Sequence, residues 1–468
     1  MNRVENSDSI PTDLFLEIFS RLPAKSIGRF RCVSNQWRSM LHSPDFTDLF
    51  FTKSSARPRL LFGVEQDGEC FFFSSPQPKS SSLDFHTKFV SEYSVSYCCG
   101  LIYLRNMWIQ KENKEAERVI CNPITGQYTI LPELKANLDG YSYLGFDPID
   151  KQFKLLVMNT RGYIANSESV HQILTLGSGN MKWRNVQCPF THEPFHERIY
   201  INGVLYYLAQ CFDVDGTSFY VIVCFDVRSE EFKFIDIRGF CYGATKLVNY
   251  KGKLGAINYY SGMRNLKLHM WVLENVEKQE WLKFVYTFPD SEVVDSCDLC
   301  VAGVTATGEI VLSMKFTSKR FYVFYFNPER NTLQPVQIHG NNQVLEKKSR
   351  VFAFVDHVED LKFDIMCAAT SISPPEQTST STSIDHQNEK AITEEVANGS
   401  LYKEADKVIS GRLFRGSGCL KGTAITAVVV AATGAVAAVF LSSNPEATTE
   451  LINLVDSYAN VIITTLKN

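Results

Sequence analysis

No charge of either sign dominates this chain of 468 residues: 47 Lys and Arg stand against 51 Asp and Glu, a net charge of -4. Without a basic field to gather phosphates, nucleic acid is not an expected partner. Motifs that carry chemistry are missing too. There is no GxxxxGK[ST] phosphate cradle, no GxSxG nucleophile turn, no HExxH zinc helix and no ordered pair of carboxylates in an evident site. His171, His192, His196 and His269 are separated by strand signals, so each reads as a core or surface histidine rather than a ligand. The 13 cysteines include one adjacent pair, Cys98-Cys99, and one CxxC, Cys297 to Cys300, with no second CxxC or His pair to complete a zinc set. With no recognisable secretory leader, this odd, scattered set reads as buried thiols in a reducing compartment. Catalysis by the chain itself, a metal and a cofactor are therefore not expected.

The length exceeds one ordinary core and suggests two or three units, and 45% hydrophobic with 21% charged residues is a globular composition. The first unit is legible at residues 10–51, IPTDLFLEIFSRLPAKSIGRFRCVSNQWRSMLHSPDFTDLFF. Leu14, Ile18 and Leu22 fall four apart, with Phe15 and Phe19 one position round, which predicts a helix from about Thr12 to Arg21 with a broad apolar face. Pro11 suits its first turn and Pro23 stops it. A second helix runs from Ala24 to about Cys32. A third begins near Ser34 or Asn35, either a suitable N-cap, and carries Trp37, Met40 and Leu41. Ser43-Pro44-Asp45-Phe46 is a further stop followed by a new start. Three helices in so few residues cannot enclose an ordinary core, so the surplus apolar face needs a partner.

Past Phe51 the periodicity becomes two-fold, with short runs of Val, Ile, Phe and Tyr between Gly, Asn and Asp turns. Two elements recur in order. One is a hairpin around Gly100, Gly203, Gly252 and Gly308, with DPIDKQFKLLVM near the middle of the first, double-length step. The other is a strand, a turn and a return, marked by Asn122, Gly177, Asp226, Glu274 and Asn327 at steps of 48 to 55 residues. A repeat near fifty residues holding about four strands is what a propeller blade needs, and six blades result. The alternative is a β-sandwich with evenly spaced hairpins. A propeller binds through loops at one end of its axis. The candidate loops are Met107 to Glu117, Asn159 to Ser169, Cys188 to Glu197, Phe212 to Ser218, Tyr259 to Asn265 and Phe288 to Asp298. They offer Trp108, Arg161, Tyr163, Phe195, Phe212, Tyr260 and Arg264 as candidate contacts to a protein target.

The N-terminal stretch resembles the F-box in Ile10-Pro11, Asp13-Leu14, Glu17-Ile18, Arg21-Leu22-Pro23, Lys25-Ser26, Arg29 to Ser34, Trp37-Arg38-Ser39 and Ser43 to Phe46. That resemblance implies docking of Pro11, Leu14, Ile18, Leu22, Pro23, Cys32, Val33 and Trp37 onto a small Skp-type adaptor, and through it onto a cullin and a RING subunit. The body is similar to the F-box-associated, kelch-like domain (type 3) of plant F-box proteins. Its phrases include CCGLIYL, CNPITGQY, GFDPIDKQFKLL, LTLGSGNMKWR, INGVLYYLA, CFDVRSEEF and FVDHVEDLKF. Together the two resemblances imply a non-catalytic substrate-recognition subunit of an SCF-type ubiquitin ligase, or else a protein-interaction scaffold without a ligase role.

The expected organisation is thus α+β and multidomain: a flexible terminus at 1–9, the F-box at 10–55, a β-propeller-like domain at 56–368, a disordered Ser/Thr-rich linker at 369–411 and an extension at 412–468. Within the extension, Thr423 to Leu441 is nineteen residues without a charge, long enough to cross a bilayer. Arg412, Arg415 and Lys421 on its N-terminal side would keep the rest of the chain in the cytosol. A soluble helix packed on Leu451, Leu454, Val455, Tyr458 and Ile462 would bury the same face. The expected location is cytoplasm or nucleus, with a tail anchor on the first reading.

Overall fold

The computed structural model describes residues 12–77, 80–91, 95–108, 116–134, 140–158, 170–177, 181–212, 217–237, 245–261, 266–288, 299–318, 320–339 and 343–362. They belong to two compact units that divide after Leu49. The expected flexible terminus, linker and extension, including 423–441, lie outside the described residues. Among the described residues, no helix is long and apolar enough to cross a membrane.

The first unit holds α1 (Thr12–Phe19), α2 (Ala24–Phe30) and α3 (Asn35–His42), followed by α4 (Pro44–Ser55), which begins at the expected new start. Ser34 caps α3, its hydroxyl accepting from Trp37 N at 3.1 Å. The first two helices end about two residues earlier than their apolar pattern. Arg21 and Leu22, like Cys32 and Val33, turn through i→i+3 bonds of 3.0 to 3.1 Å, the tighter winding common at helix ends. Inside the bundle, the rings of Phe19, Phe30 and Trp37 lie 4.9 to 5.4 Å apart, over fully buried Ile27 and Leu41. Arg31 donates to Leu41 O at 2.8 Å and fastens the end of α3 to α2.

The second unit is six four-stranded antiparallel sheets. In chain order, β1 (Arg59–Gln66), β2 (Glu69–Pro76) and β3 (Asp84–Val90) begin the first blade. The second is β4 (Val95–Cys98), β5 (Leu101–Trp108), β6 (Ala116–Cys121) and β7 (Tyr128–Ile130). The third is β8 (Tyr141–Asp147), β9 (Gln152–Met158), β10 (His171–Thr175) and β11 (Arg184–Val186). The fourth is β12 (His192–Ile201), β13 (Val204–Phe212), β14 (Ser218–Asp226) and β15 (Phe232–Asp236). The fifth is β16 (Thr245–Tyr250), β17 (Lys253–Ser261), β18 (Leu266–Asn275) and β19 (Glu280–Thr287). The sixth is β20 (Leu299–Val304), β21 (Ile310–Met314), β22 (Phe321–Asn327) and β23 (Thr332–Ile338). The chain then returns as β24 (Arg350–His357) to the inner edge of the first blade, antiparallel to β1, and closes the ring.

The same turn chemistry recurs from blade to blade because each blade must solve the same problem. Cys99-Gly100, Asn202-Gly203 and Lys251-Gly252 join an innermost strand to the next with positive φ at both positions, the tight turn that matches strand twist. The outer hairpins are held by Asn122, Asp226, Asn275 and Asn327, whose side-chain oxygens each accept from two backbone amides at 2.8 to 3.2 Å. Buried clusters sit between neighbouring blades, as with Leu101, Tyr103, Leu144 and Leu155 between the second and third. Packing there leaves no room at Gly145 and Gly303, where a Cβ would stand 2.7 Å from Val227 Cγ2 and 2.6 Å from Val355 Cγ2. Lys154 and Arg184 of the third blade both pair with Glu230 of the fourth, the Lys154 contact at 2.7 Å. Of the cysteines expected to be buried, Cys70, Cys98, Cys121, Cys211 and Cys224 are; Cys188 and Cys300 are half-buried, and Cys32 and Cys99 are exposed.

His357 makes the ring's junction sensitive to acid. It is fully buried on β24, and Tyr97 of β4 shares a hydrogen bond with its Nδ1 at 3.0 Å. Burial, helped by the nearby Arg59 guanidinium, holds the imidazole neutral, its pKa lowered to about 3. An unfolded chain takes up a proton near the ordinary histidine value of about 6.5 that the folded one refuses, so stability falls as pH drops below it, by at most about 1.4 kcal/mol per pH unit. Asp356, whose carboxyl burial pushes up, works in the opposite direction. The depressed carboxyls of Asp147 and Glu230 add their own losses only at lower pH. Urea unfolding of the full chain is expected to show a lower midpoint at pH 5 than at pH 7, with a smaller difference for His357→Asn. Equal midpoints at the two pH values would contradict this.

Candidate functional site

The helices of the first unit divide their apolar residues between two faces. Phe19, Ile27, Phe30 and Leu41 take the interior, and the expected adaptor residues take the outside. Leu14 is 54% exposed and Cys32 is exposed; Ile18, Leu22, Pro23, Val33 and Trp37 are half-buried. Trp37 serves both sides, since one face of its indole packs on Phe19 and Phe30. Pro11 lies outside the described residues. A group of Leu, Ile, Pro and Val left exposed or half-exposed on so small a bundle is the kind of surface that partners cover, because a monomer rarely leaves large apolar patches to water.

In the second unit, antiparallel order decides which loops share an end. Second-to-third strand connections and outer-to-next-inner connections leave each blade at the same end. All six candidate loops are of these two kinds, joining β5 to β6, β9 to β10, β11 to β12, β13 to β14, β17 to β18 and β19 to β20. The tight turns at Gly100, Gly203 and Gly252 and the Asx turns at Asn122, Asp226, Asn275 and Asn327 occupy the other end. On the loop-bearing end Trp108 and Phe212 close their strands 42% and 44% exposed, and Phe190 is 62% exposed. Large exposed aromatics are the anchors that interfaces use.

Phe195 is a correction. It stands within β12, not in a loop, and its half-buried ring packs 6.0 Å from Tyr220. Pro194 pairs with Ala209 beside a bulge of β12, a position where a strand tolerates proline. Tyr260 falls on β17, but its side chain lies outside the described residues, as do Arg161, Tyr163 and Arg264.

Arg198, which the strand run ERIYINGVLYYL hides, is the residue that the sequence reading missed. From β12 it reaches past the third blade to β4, donating to Val95 O at 2.6 Å and Ser96 Oγ at 3.2 Å, with its guanidinium 5.2 Å from the Tyr143 ring. Tyr143 in turn donates to Phe195 O. Glu197 accepts from Lys246 Nζ at 3.2 Å and Leu247 N at 2.9 Å, tying β12 to β16. Burial, and then the Arg198 and Arg350 charges, hold His196 below the ordinary imidazole range. The loops are therefore carried on a rim of innermost strands locked to one another.

The chain thus joins a helical module with exposed apolar residues to a six-bladed propeller whose candidate loops share one end. Residues 7–49 match the F-box domain and residues 59–358 match the F-box associated beta propeller domain. Among curated relatives, the Arabidopsis thaliana F-box protein At3g57590 is 52% identical over 388 residues, covering 76% of this chain and 91% of its own length. F-box only protein 12 from the same plant is 48% identical over 407 residues, covering 81% of this chain and 88% of its own. The chain belongs to the family of F-box proteins that carry an F-box associated β-propeller.

Proposed function

We propose that this chain is the substrate-recognition subunit of an SCF-type cullin-RING ubiquitin ligase. The observation that carries the reading is the open ridge of Leu14, Ile18, Leu22, Pro23 and Val33 on a matched F-box. A Skp-type adaptor covers that ridge and connects it to a cullin and a RING subunit. A protein target binds at the loop-bearing end of the propeller, where Trp108 and Phe212 stand exposed. No side chain of this chain need touch the transferred ubiquitin. Holding a target lysine beside the loaded enzyme raises its effective concentration, and proximity of that kind accelerates transfer by itself.

Affinity capture of the full chain under proteasome inhibition is expected to recover adaptor, cullin and RING subunit together with a target that accumulates. Recovery of the adaptor without a cullin would instead favour a scaffold with no ligase role. We also propose that the uncharged stretch from Thr423 to Leu441 anchors the protein to a membrane with the F-box in the cytosol. Removing residues 419–468 should then move the protein from the membrane fraction to the soluble one. An unchanged fractionation profile would leave the chain as a cytoplasmic or nuclear receptor.

A further inference from the structure

The sequence places His171 and His192 apart, behind separate strand signals, but the fold sets them together. His171 opens β10 of the third blade, and His192 opens β12, the innermost strand of the fourth, so the two meet where the blades abut. Their ring centroids are 5.2 Å apart and both side chains are buried. Cys188, in the connection between β11 and β12, completes the group, and one donor atom from each of the three lies within 4.8 Å of the other two.

We propose that His171, Cys188 and His192 bind a zinc-class divalent metal ion that staples the third blade to the fourth. The best-defined pair has the spacing that such an ion requires. Cys188 Sγ stands 3.7 Å from His192 Nδ1. Tetrahedral zinc, with bonds of about 2.3 Å to sulfur and about 2.0 to 2.1 Å to nitrogen, sets those two atoms about 3.6 Å apart. The other ring nitrogen of His192, Nε2, is 2.8 Å from the Tyr207 hydroxyl, the outer partner that orients a ligating imidazole. Phe190 O lies 3.2 Å from Cys188 Sγ and 3.1 Å from His192 Nδ1, so a fourth position can be taken by this carbonyl or by water. Two imidazoles and a thiolate form a borderline-soft donor set that selects zinc, cobalt or nickel over magnesium and calcium. The His171 and His192 rings lie against Phe232 and Phe234, which limit solvent, while half-buried Cys188 leaves a way in.

The same atoms can also form a metal-free cluster, with the Cys188 thiol and His192 both bonded to Phe190 O, and the two states are separable by experiment. The full chain, reduced and stripped with chelator, is titrated with cobalt(II). One equivalent should develop the thiolate-to-cobalt charge-transfer absorption and the intense visible bands of tetrahedral cobalt. Zinc should displace it and raise the thermal midpoint of the protein. Cys188→Ser and His171→Gln should each lose that equivalent, while Cys99→Ser, on an exposed thiol in a turn of the second blade, should keep it. Circular dichroism of the stripped variants separates lost binding from lost folding. A folded wild-type chain that shows no thiolate-to-cobalt absorption overturns the proposal, as does an unchanged spectrum in folded Cys188→Ser.

Discussion

Changing Leu14 and Ile18 to Asp is expected to weaken binding of a Skp-type adaptor by more than a hundredfold while leaving the six blades folded. Leu14 is more than half exposed and Ile18 is half-buried, so the free protein tolerates charge on this face. In the proposed complex the same positions are covered. Each substitution then forfeits part of the about 1.5 to 3 kcal/mol that full burial of such a side chain is worth and adds the cost of desolvating a carboxylate. Two such losses exceed the roughly 2.7 kcal/mol that a hundredfold change in affinity represents. Ile27→Asp is the contrasting variant. Ile27 is fully buried inside the helical unit, so that change should unfold the unit itself and appear in circular dichroism as well as in calorimetry. Unaltered affinity in the Leu14 and Ile18 double variant would place the adaptor elsewhere.

Ending the chain after Ser349 should abolish the cooperative unfolding transition of the propeller, whereas ending it after Lys362 should preserve it. The shorter chain lacks β24, the strand that pairs with β1 from Arg59 to Glu65 and closes the ring. Its loss uncovers Leu60, Phe62 and Val64, bares the inner edge of the first blade and removes Val351 and His357 from the junctions on either side. The apolar burial lost is at least about 5 kcal/mol, as much as the whole stability of many domains. A bare strand edge also invites aggregation. A cooperative melt in the chain ending at Ser349 would mean that five closed blades and an open sixth suffice.

The propeller is legible in the sequence because its blades repeat the same local chemistry. Asn122, Asp226 and Asn327 mark outer hairpins, Gly100, Gly203 and Gly252 mark inner ones, and the Asp147 turn fills the double step between Gly100 and Gly203. Ring closure is not legible, since β1 and β24 lie at opposite ends of the domain's sequence and neither carries a signal for the other. Phe195 falls inside the candidate loop Cys188 to Glu197 in the sequence, whereas β12 already begins at His192 and carries a bulge beyond Pro194. Arg198, and the meeting of His171 with His192, depend on which blades are neighbours in space. On the helical unit a broad apolar face is legible from four-residue spacing, with Leu14 and Ile18 on α1, Leu22 in the turn beyond it and Phe15 and Phe19 one position round, but only the structure separates exposed Leu14 and half-buried Ile18 and Leu22 from buried Phe19.

Hydrogen exchange of the full chain with and without a purified Skp-type adaptor tests the central claim most directly. Slower exchange across Thr12–His42 on adding the adaptor, with the amides of β1 through β24 unchanged, is the expected result. Protection confined to the blades, or none at saturating adaptor, would contradict the assignment of the N-terminal ridge as the ligase-docking surface.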